Sequence, residues 1–394
     1  MKNKLCFIII ILFATLTGCS NYKELNTLAI VVGMGIDYIP NKELYKVIIQ
    51  SIVPSENAAQ GTGSGGTPVV SFISTGKTLT EALQANSRIL SRENIFSHIE
   101  LVILGEQLAK KESLNFLFDF FERDAGIRVN VPVLIARGSS VKMTMDILPT
   151  TDKVAVRSIV GKLKSASEQT GEYGETKMYE IIENLSNFGS EPAIHGISVK
   201  GSKKTGTTKA NYEDMEKTYT TLNGTAIFRK GKLVGWIDGK RSKSIQIIHN
   251  KIKVTDLRIH CDKKRFNTIK VNRLKSQSKV DIKNNQVLIT VTANGSGFIN
   301  ELLCNKDISK RDVMKEYEHE AESELEKAIK EGIVAAQKMK SDVFGFGEIL
   351  RYTHLNKWNK SRQQWNELFS RAKINVHAKI DIEGTGMRIK PYPY

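Results

Sequence analysis

Lys2 and Lys4 open the chain, and an almost wholly apolar run, Leu5 to Leu16, follows and closes on Leu16-Thr17-Gly18-Cys19. No other segment constrains the fold as much. The run is too short for a membrane-spanning helix and has the size of a signal-peptide core. Small residues before a cysteine form a lipoprotein processing site. Residues 1–18 therefore read as a signal, and Cys19 as the lipid-bearing start of the mature chain. The alternative is an uncleaved anchor that happens to contain a cysteine. Beyond Cys19 no apolar run approaches the length of a span, so the remainder is expected to fold outside the cytoplasm, held by acyl chains such as palmitate.

That compartment disposes of the other cysteines. Cys6 leaves with the signal, while Cys261 and Cys304 remain as two thiols or one disulfide, both readings staying open. The four are too dispersed for a compact thiolate metal site. The length, 394 residues, calls for more than one core. Lys and Arg number 58 against 42 Asp and Glu, a formal charge of +16. Basic surfaces bind nucleic acid or anionic membrane. A lipid tether favours the membrane, where each nearby basic residue contributes about 1 kcal/mol. Solubility alone explains the same charge equally well.

Hydrophobic periodicity then organises the mature chain. Leu28 to Ile36 is apolar but for glycines, and Leu44 to Val53 follows a Pro40-Asn41-Lys42 turn, which predicts two paired strands. Gly61-Thr62-Gly63-Ser64-Gly65-Gly66 reads as a flexible loop and Val69 to Ile73 as a resumed strand. Thr80 to Leu90 predicts a helix, Ile99 to Leu104 a buried strand, and Gln107 to Arg123 one strong helix with Leu108, Leu114, Leu117, Phe118 and Phe121 on its apolar face. Val129 to Ala136 predicts a strand, Met178 to Leu185 a helix, and Ile194 to Val199 a strand.

After a basic linker near Lys200 to Asn211, Thr225 to Phe228 and Leu233 to Ile237 flank Lys230-Gly231-Lys232 as a hairpin. Ile245 to Ile248 reads as a further strand. Ser309 is a candidate cap for a helix running towards Lys340, on which Tyr317, Ala321, Leu325, Ile329 and Ile333 recur every four residues. A short helix spans Arg362 to Phe369. Ile374, Val376, Ala378, Ile380 and Ile382 alternate as a closing strand. The fold class is α+β, with mixed or antiparallel sheets packed by helices in three domains: an N-terminal α/β domain over 19–200, a small β-rich domain over 212–300, and an α/β region over 301–394.

Catalytic signals are missing. Ser71 to Thr78 resembles the end of a phosphate-binding loop, but Ser71 stands where glycine must let the backbone wrap phosphate. The seven histidines form no HExxH pattern, and no G-x-S-x-G elbow occurs. His319 with Glu316 and Glu320 reads as a solvated helix face. No cofactor, no metal and no enzymatic reaction are expected.

With lipidation, mixed α/β domains and no catalytic set in place, the chain resembles the Ger(x)C family, the lipoprotein C subunits of spore germinant receptors. Lys23 to Asp37 looks like the family's opening strand. Gly76 to Ala82, Ser97-His98, Gly105-Glu106 and Arg123-Asp124 follow in the family's order, then Asp342-Val343-Phe344-Gly345-Phe346-Gly347, Trp358, Trp365 and the strand ending near Gly384. Two departures stand out: Ser20-Asn21 replaces the Trp-Asp common after the lipid cysteine, and Leu233 to Ile248 matches the middle-domain pattern poorly.

The resemblance implies three α/β domains and no known catalysis. It also implies a place on the outer face of the spore inner membrane, beside a multispanning A subunit and a transporter-like B subunit, with no nucleic acid bound. The implied role is receptor assembly or signal relay during germination. Phe344, Gly345, Phe346 and Gly347 read either as a turn sealing the core at the end of the long helix or as a partner-docking loop, and Trp358 and Trp365 carry the same two readings. A stand-alone solute-binding envelope lipoprotein is the competing function; it calls for a cleft with aromatic and polar walls.

Overall fold

The apolar run after residue 27 is the strand β1 (Leu28–Ile39), and it is free of polar side chains as far as Ile36 because both of its faces are covered there. The computed structural model describes residue 24 and residues 27–52, 69–149, 152–202, 206–208, 211, 218–260, 265–304 and 306–386. The signal, Cys19, the stretch 61–66 and Cys261 lie outside the described residues.

β1 pairs antiparallel with β2 (Leu44–Ile52), and β2 with β3 (Val69–Gly76). Helix α1 (Leu79–Asn86) follows, opened by Thr78, whose hydroxyl accepts from the Glu81 N–H. β4 (Glu93–Ile95) and β5 (Leu101–Gly105) then pair parallel with successive parts of β1. The expected helix Gln107 to Arg123 is two helices, α2 (Glu106–Lys111) and α3 (Leu114–Arg123). Ser113 breaks it: its hydroxyl caps α3 at Asn115, and the Leu114 N–H is taken by the Gly231 carbonyl.

β6 (Val133–Ala136) extends the parallel run. Next come α4 (Val141–Asp146), α5 (Ala155–Gln169) and α6 (Met178–Ser186). The sequence reading leaves α4 and α5 unassigned. Then β7 (Ala193–Gly201), β8 (Thr218–Arg229) and β9 (Lys232–Ile237) complete a nine-stranded mixed sheet in the order β3-β2-β1-β5-β6-β7-β8-β9, with β4 on β1. Helices α1, α2, α3 and α6 cover one face, and α4 and α5 the other.

The second sheet has five strands: β10 (Thr255–His260), β11 (Phe266–Val271), β12 (Lys275–Lys283), β13 (Gln286–Glu301) and β14 (Lys373–Gly384). Its helices are α7 (Lys243–Ile248), the long α8 (Arg311–Lys338), α9 (Phe346–Thr353), α10 (Leu355–Ser361) and α11 (Trp365–Ser370). Ile245 to Ile248 is thus helical, not a strand. A four-residue apolar run has no period of its own, and here every residue from Ser244 to Ile248 is buried. Ser309 does not cap α8; its hydroxyl donates to Asp307 Oδ1 and the helix begins after Lys310.

The two sheets divide the chain differently from the three expected segments. β8 and β9, from the segment 212–300, belong to the first sheet, and that segment shares the second sheet with β14 from 301–394. Cys304, just past β13, is buried and disulfide-bonded.

On α8 the side chains of Tyr317, Ala321, Leu325, Ile329 and Ile333 are all buried, each apolar one of Leu or Ile size contributing about 1.5–3 kcal/mol. The neighbouring glutamates do something the apolar spacing conceals. Among the described residues β14 pairs only with β13, so one row of its N–H groups faces away from the sheet. Glu326, Glu322 and Glu318 accept from Ala378, Ile380 and Ile382, at 2.9, 3.2 and 3.0 Å. Four helical residues advance about 6 Å and two strand residues about 6.6 Å, so the two repeats keep step. The ladder satisfies an edge that would otherwise invite strand addition.

Candidate docking site at the module seam

The chain leaves α8 through Met339-Lys340-Ser341-Asp342 and lands against the first sheet. Ser341 Oγ donates to the Phe228 carbonyl of β8, and the Asp342 carbonyl accepts from the Glu191 N–H at 2.8 Å. The Asp342 carboxylate is fully buried. It accepts from the backbone N–H of Phe344 (3.2 Å), Phe346 (3.2 Å) and Gly347 (2.8 Å), and from the Trp365 indole N–H (2.8 Å). Burial pushes its carboxyl up to about 6, although the four N–H donors pull the other way.

The six residues singled out in this region meet around that carboxylate. Phe344 and Phe346 stack with ring centroids 5.3 Å apart, and Phe346 continues to Phe369 at 6.2 Å. Trp358 and Trp365 meet edge to face at 5.7 Å. All five rings are buried. Gly345 sits at φ +73°, a left-handed conformation that glycine adopts without strain. Gly347 serves another need. A Cβ there would lie 2.6 Å from Trp365 Nε1 and 2.8 Å from the Cα of Gly189, so the two glycines let the backbones of the two modules touch. Cys19, the expected lipid site, lies outside the described residues.

Glu191 extends the lock. Its carboxylate accepts from the Lys230 N–H at 2.9 Å and from Asn366 Nδ2 at 3.1 Å, and burial, reinforced by Asp342, raises its pKa. A second lock is centred on His195, which is wholly buried on β7. Its Nε2 accepts from the Gly174 N–H (3.2 Å) and from Gln246 Nε2 on α7 (3.0 Å). The Gly174 amide is an obligate donor, so Nδ1 carries the proton and donates to Thr225 Oγ1 at 2.9 Å. Burial, with Lys251 adding to it, lowers the His195 pKa to about 3, and the ring is neutral at physiological pH. His249 Nε2–H donates to the Val343 carbonyl at 3.0 Å, tying α7 to the same loop.

Outside these locks the seam opens into a cleft of about 1160 Å³. Its walls come from the start of α3, the turn after α6, the β8–β9 turn and the residues around α11. Two phenylalanines line it almost naked: Phe116 on α3 is 74% exposed and Phe188 beside Gly189 is 79% exposed. A single exposed apolar side chain is ordinary, but two phenylalanines open into one cleft form the kind of apolar surface that marks an interaction site. The sequence reading keeps Phe116 off the apolar face of its helix, which is the one signal that it points outward. Nothing local marks Phe188, Glu191 or His195, because their partners are distant in the chain. Among the described residues no three or more His, Cys, Asp or Glu side chains are grouped to hold a metal ion.

Two mixed α/β modules locked by buried polar groups, with an open cleft on their seam, define a multidomain α+β fold. Residues 21–199 match the spore germination protein N-terminal domain, and residues 223–386 match the spore germination B3/GerAC-like C-terminal domain. The chain belongs to this GerAC-like family, the C subunits of spore germinant receptors. Among its relatives is spore germination protein KC of Bacillus subtilis (strain 168), 28% identical over 397 residues, covering 99% of this chain and 97% of the relative. Spore germination protein B3 of the same organism is 23% identical, over 94% of this chain and 95% of its own. Spore germination protein A3, also from that organism, is 23% identical over 95% of each. The crystal structure of the GerBC protein shares the fold, with a TM-score of 0.56 at 19% identity, over 92% of this chain and all of that one. The gap between the two matched regions runs from the end of β7 into the first half of β8, two strands of the first sheet.

Proposed function

We propose that this chain is a non-enzymatic, lipid-anchored subunit of a spore nutrient germinant receptor, and that it supports receptor assembly or relays the germination signal. Cys19 would carry the lipid and hold the chain on the outer face of the spore inner membrane. No helix among the described residues is long and apolar enough to cross a membrane, so an anchor is what this reading requires. The partners are a multispanning A subunit and a transporter-like B subunit. The observation that carries the reading is the seam cleft with Phe116 and Phe188 open at its walls, a surface suited to a protein partner.

A second reading, a stand-alone solute-binding lipoprotein, has one observation in its favour. A groove of about 900 Å³ between α1 and α3 is walled by Leu79, Leu83, Phe96, Leu117 and Phe120. Germination assays separate the two. On the receptor reading, deletion abolishes the response of spores to at least one nutrient, full-length protein restores it, and Cys19→Ala does not. Unchanged germination on every nutrient, together with stabilisation of the purified chain by one of them, would replace it with the solute-binding reading.

A further inference from the structure

The seam cleft carries more hydrogen-bonding capacity than its locks use. Asn184 and Asn187 are consumed by Glu180, Ser190, Glu348 and Arg351. The side chains of Gln363 and Gln364, on the 3-10 turn before α11, make no hydrogen bond among the described residues. Asn115 keeps its Nδ2 free and Asn366 its Oδ1. A carboxamide presents one acceptor and two donors at the spacing of a peptide group. Four of them in one cleft match an extended main chain, which needs a donor and an acceptor at every residue.

The free charge in the cleft has one sign. Lys340 is bound to Glu367 at 2.8 Å, and Glu191 is turned inward to Lys230 N–H and Asn366. Arg229, Lys230 and Arg362 line the cleft with no ion pair among the described residues; Arg229 donates to the Met339 carbonyl at 3.5 Å and interacts with the Glu191 and Glu367 carboxylates only at longer range. A neutral polyol would leave Lys230 and Arg362 unanswered and Arg229 only partly balanced.

We infer that the cleft binds an extended acidic segment of a partner protein. Its main chain lies along the carboxamides, its carboxylates meet Arg229, Lys230 and Arg362, and its apolar side chains rest on Phe116 and Phe188. This rests on the receptor-subunit reading and assigns that subunit's partner surface.

Photo-crosslinking tests it in the full-length protein in dormant-spore membranes. p-Benzoylphenylalanine replaces Gln363 in one strain and exposed Lys327 of α8 in another. The Gln363 probe is expected to capture a net-acidic peptide of a co-purifying membrane protein, and the Lys327 probe is not. Arg229→Glu with Arg362→Glu should cut that yield at least about tenfold, while Arg229→Lys with Arg362→Lys retains it. A crosslink to lipid, or to a neutral or basic peptide, overturns the inference, as does a yield indifferent to charge reversal. If membrane proteins co-purify but the Gln363 probe captures none, the cleft is not their site and the receptor reading stands. If nothing co-purifies, both fall.

Discussion

Replacing Asp342 by alanine should cost roughly 4 kcal/mol or more of folding free energy, out of the 5–15 kcal/mol typical of a folded chain. The carboxylate answers four buried donors, the N–H groups of Phe344, Phe346 and Gly347 and the Trp365 indole. Each buried donor left without a partner costs about 1–3 kcal/mol, partly offset because a buried charge is also removed. Asp342→Asn should cost less, since it keeps one accepting oxygen but turns an amide N–H towards donors. Urea unfolding of the chain from residue 20 onward would show both: a lower midpoint at constant slope, ordered Ala below Asn below wild type. Equal midpoints would mean that Asp342 does not hold the seam. Because Trp365 and Glu191 line the cleft and depend on this loop, the alanine variant should also lose partner binding.

Acid should unlock the seam through His195. Its folded pKa, about 3, lies below the ordinary 6.5, so the folded state binds its proton later than the unfolded chain does. The stability linked to the neutral ring is therefore complete above pH 6.5 and is lost as pH falls towards 3. The loss is about 1.4 kcal/mol per pH unit, roughly 4–5 kcal/mol over the whole window. His249, also lowered by burial, acts in the same direction. Asp342 acts in the opposite one: its raised pKa contributes stability below 3.8 that is lost as pH rises through about 6.

Comparing wild type with His195→Gln cancels the groups they share. The margin of wild type over the variant should shrink steadily as pH drops from 6.5 to 4.5. A margin that does not change with pH would show that the ring is not held neutral. The interaction matters beyond stability, because Gln246 and Gly174 reach His195 from separate parts of the chain and the two modules meet through it.

Features built on local periodicity were legible in the sequence. The alternation from Ile374 to Ile382 is β14, and the four-residue recurrence from Tyr317 to Ile333 is the buried face of α8. Phe344-Gly345-Phe346-Gly347 follows the long helix with both rings buried and Gly345 left-handed. What stayed hidden depends on partners far away in the chain. Gly347 needs its missing side chain because Gly189 lies against it, and no spacing within either segment says so. Asp342 looks like one more polar residue until its donors are assembled around it. β8 and β9 read as the start of a middle domain because the basic linker precedes them, yet pairing with β7 draws them into the first sheet. Ile245 to Ile248 is too short for periodicity to tell a buried helix from a buried strand, and burial on every side decided it. Glu318, Glu322 and Glu326 of α8 carry no signal in the sequence, yet all three bind the backbone of β14.

The most direct measurement is a detergent pull-down of the full-length protein from dormant-spore membranes, with mass spectrometry of what accompanies it and Cys19→Ala as the control. A receptor subunit should bring down multispanning germination proteins, and these should vanish with the lipid-site variant. Recovery of the protein alone, under conditions that keep other membrane complexes intact, would contradict the receptor-subunit account.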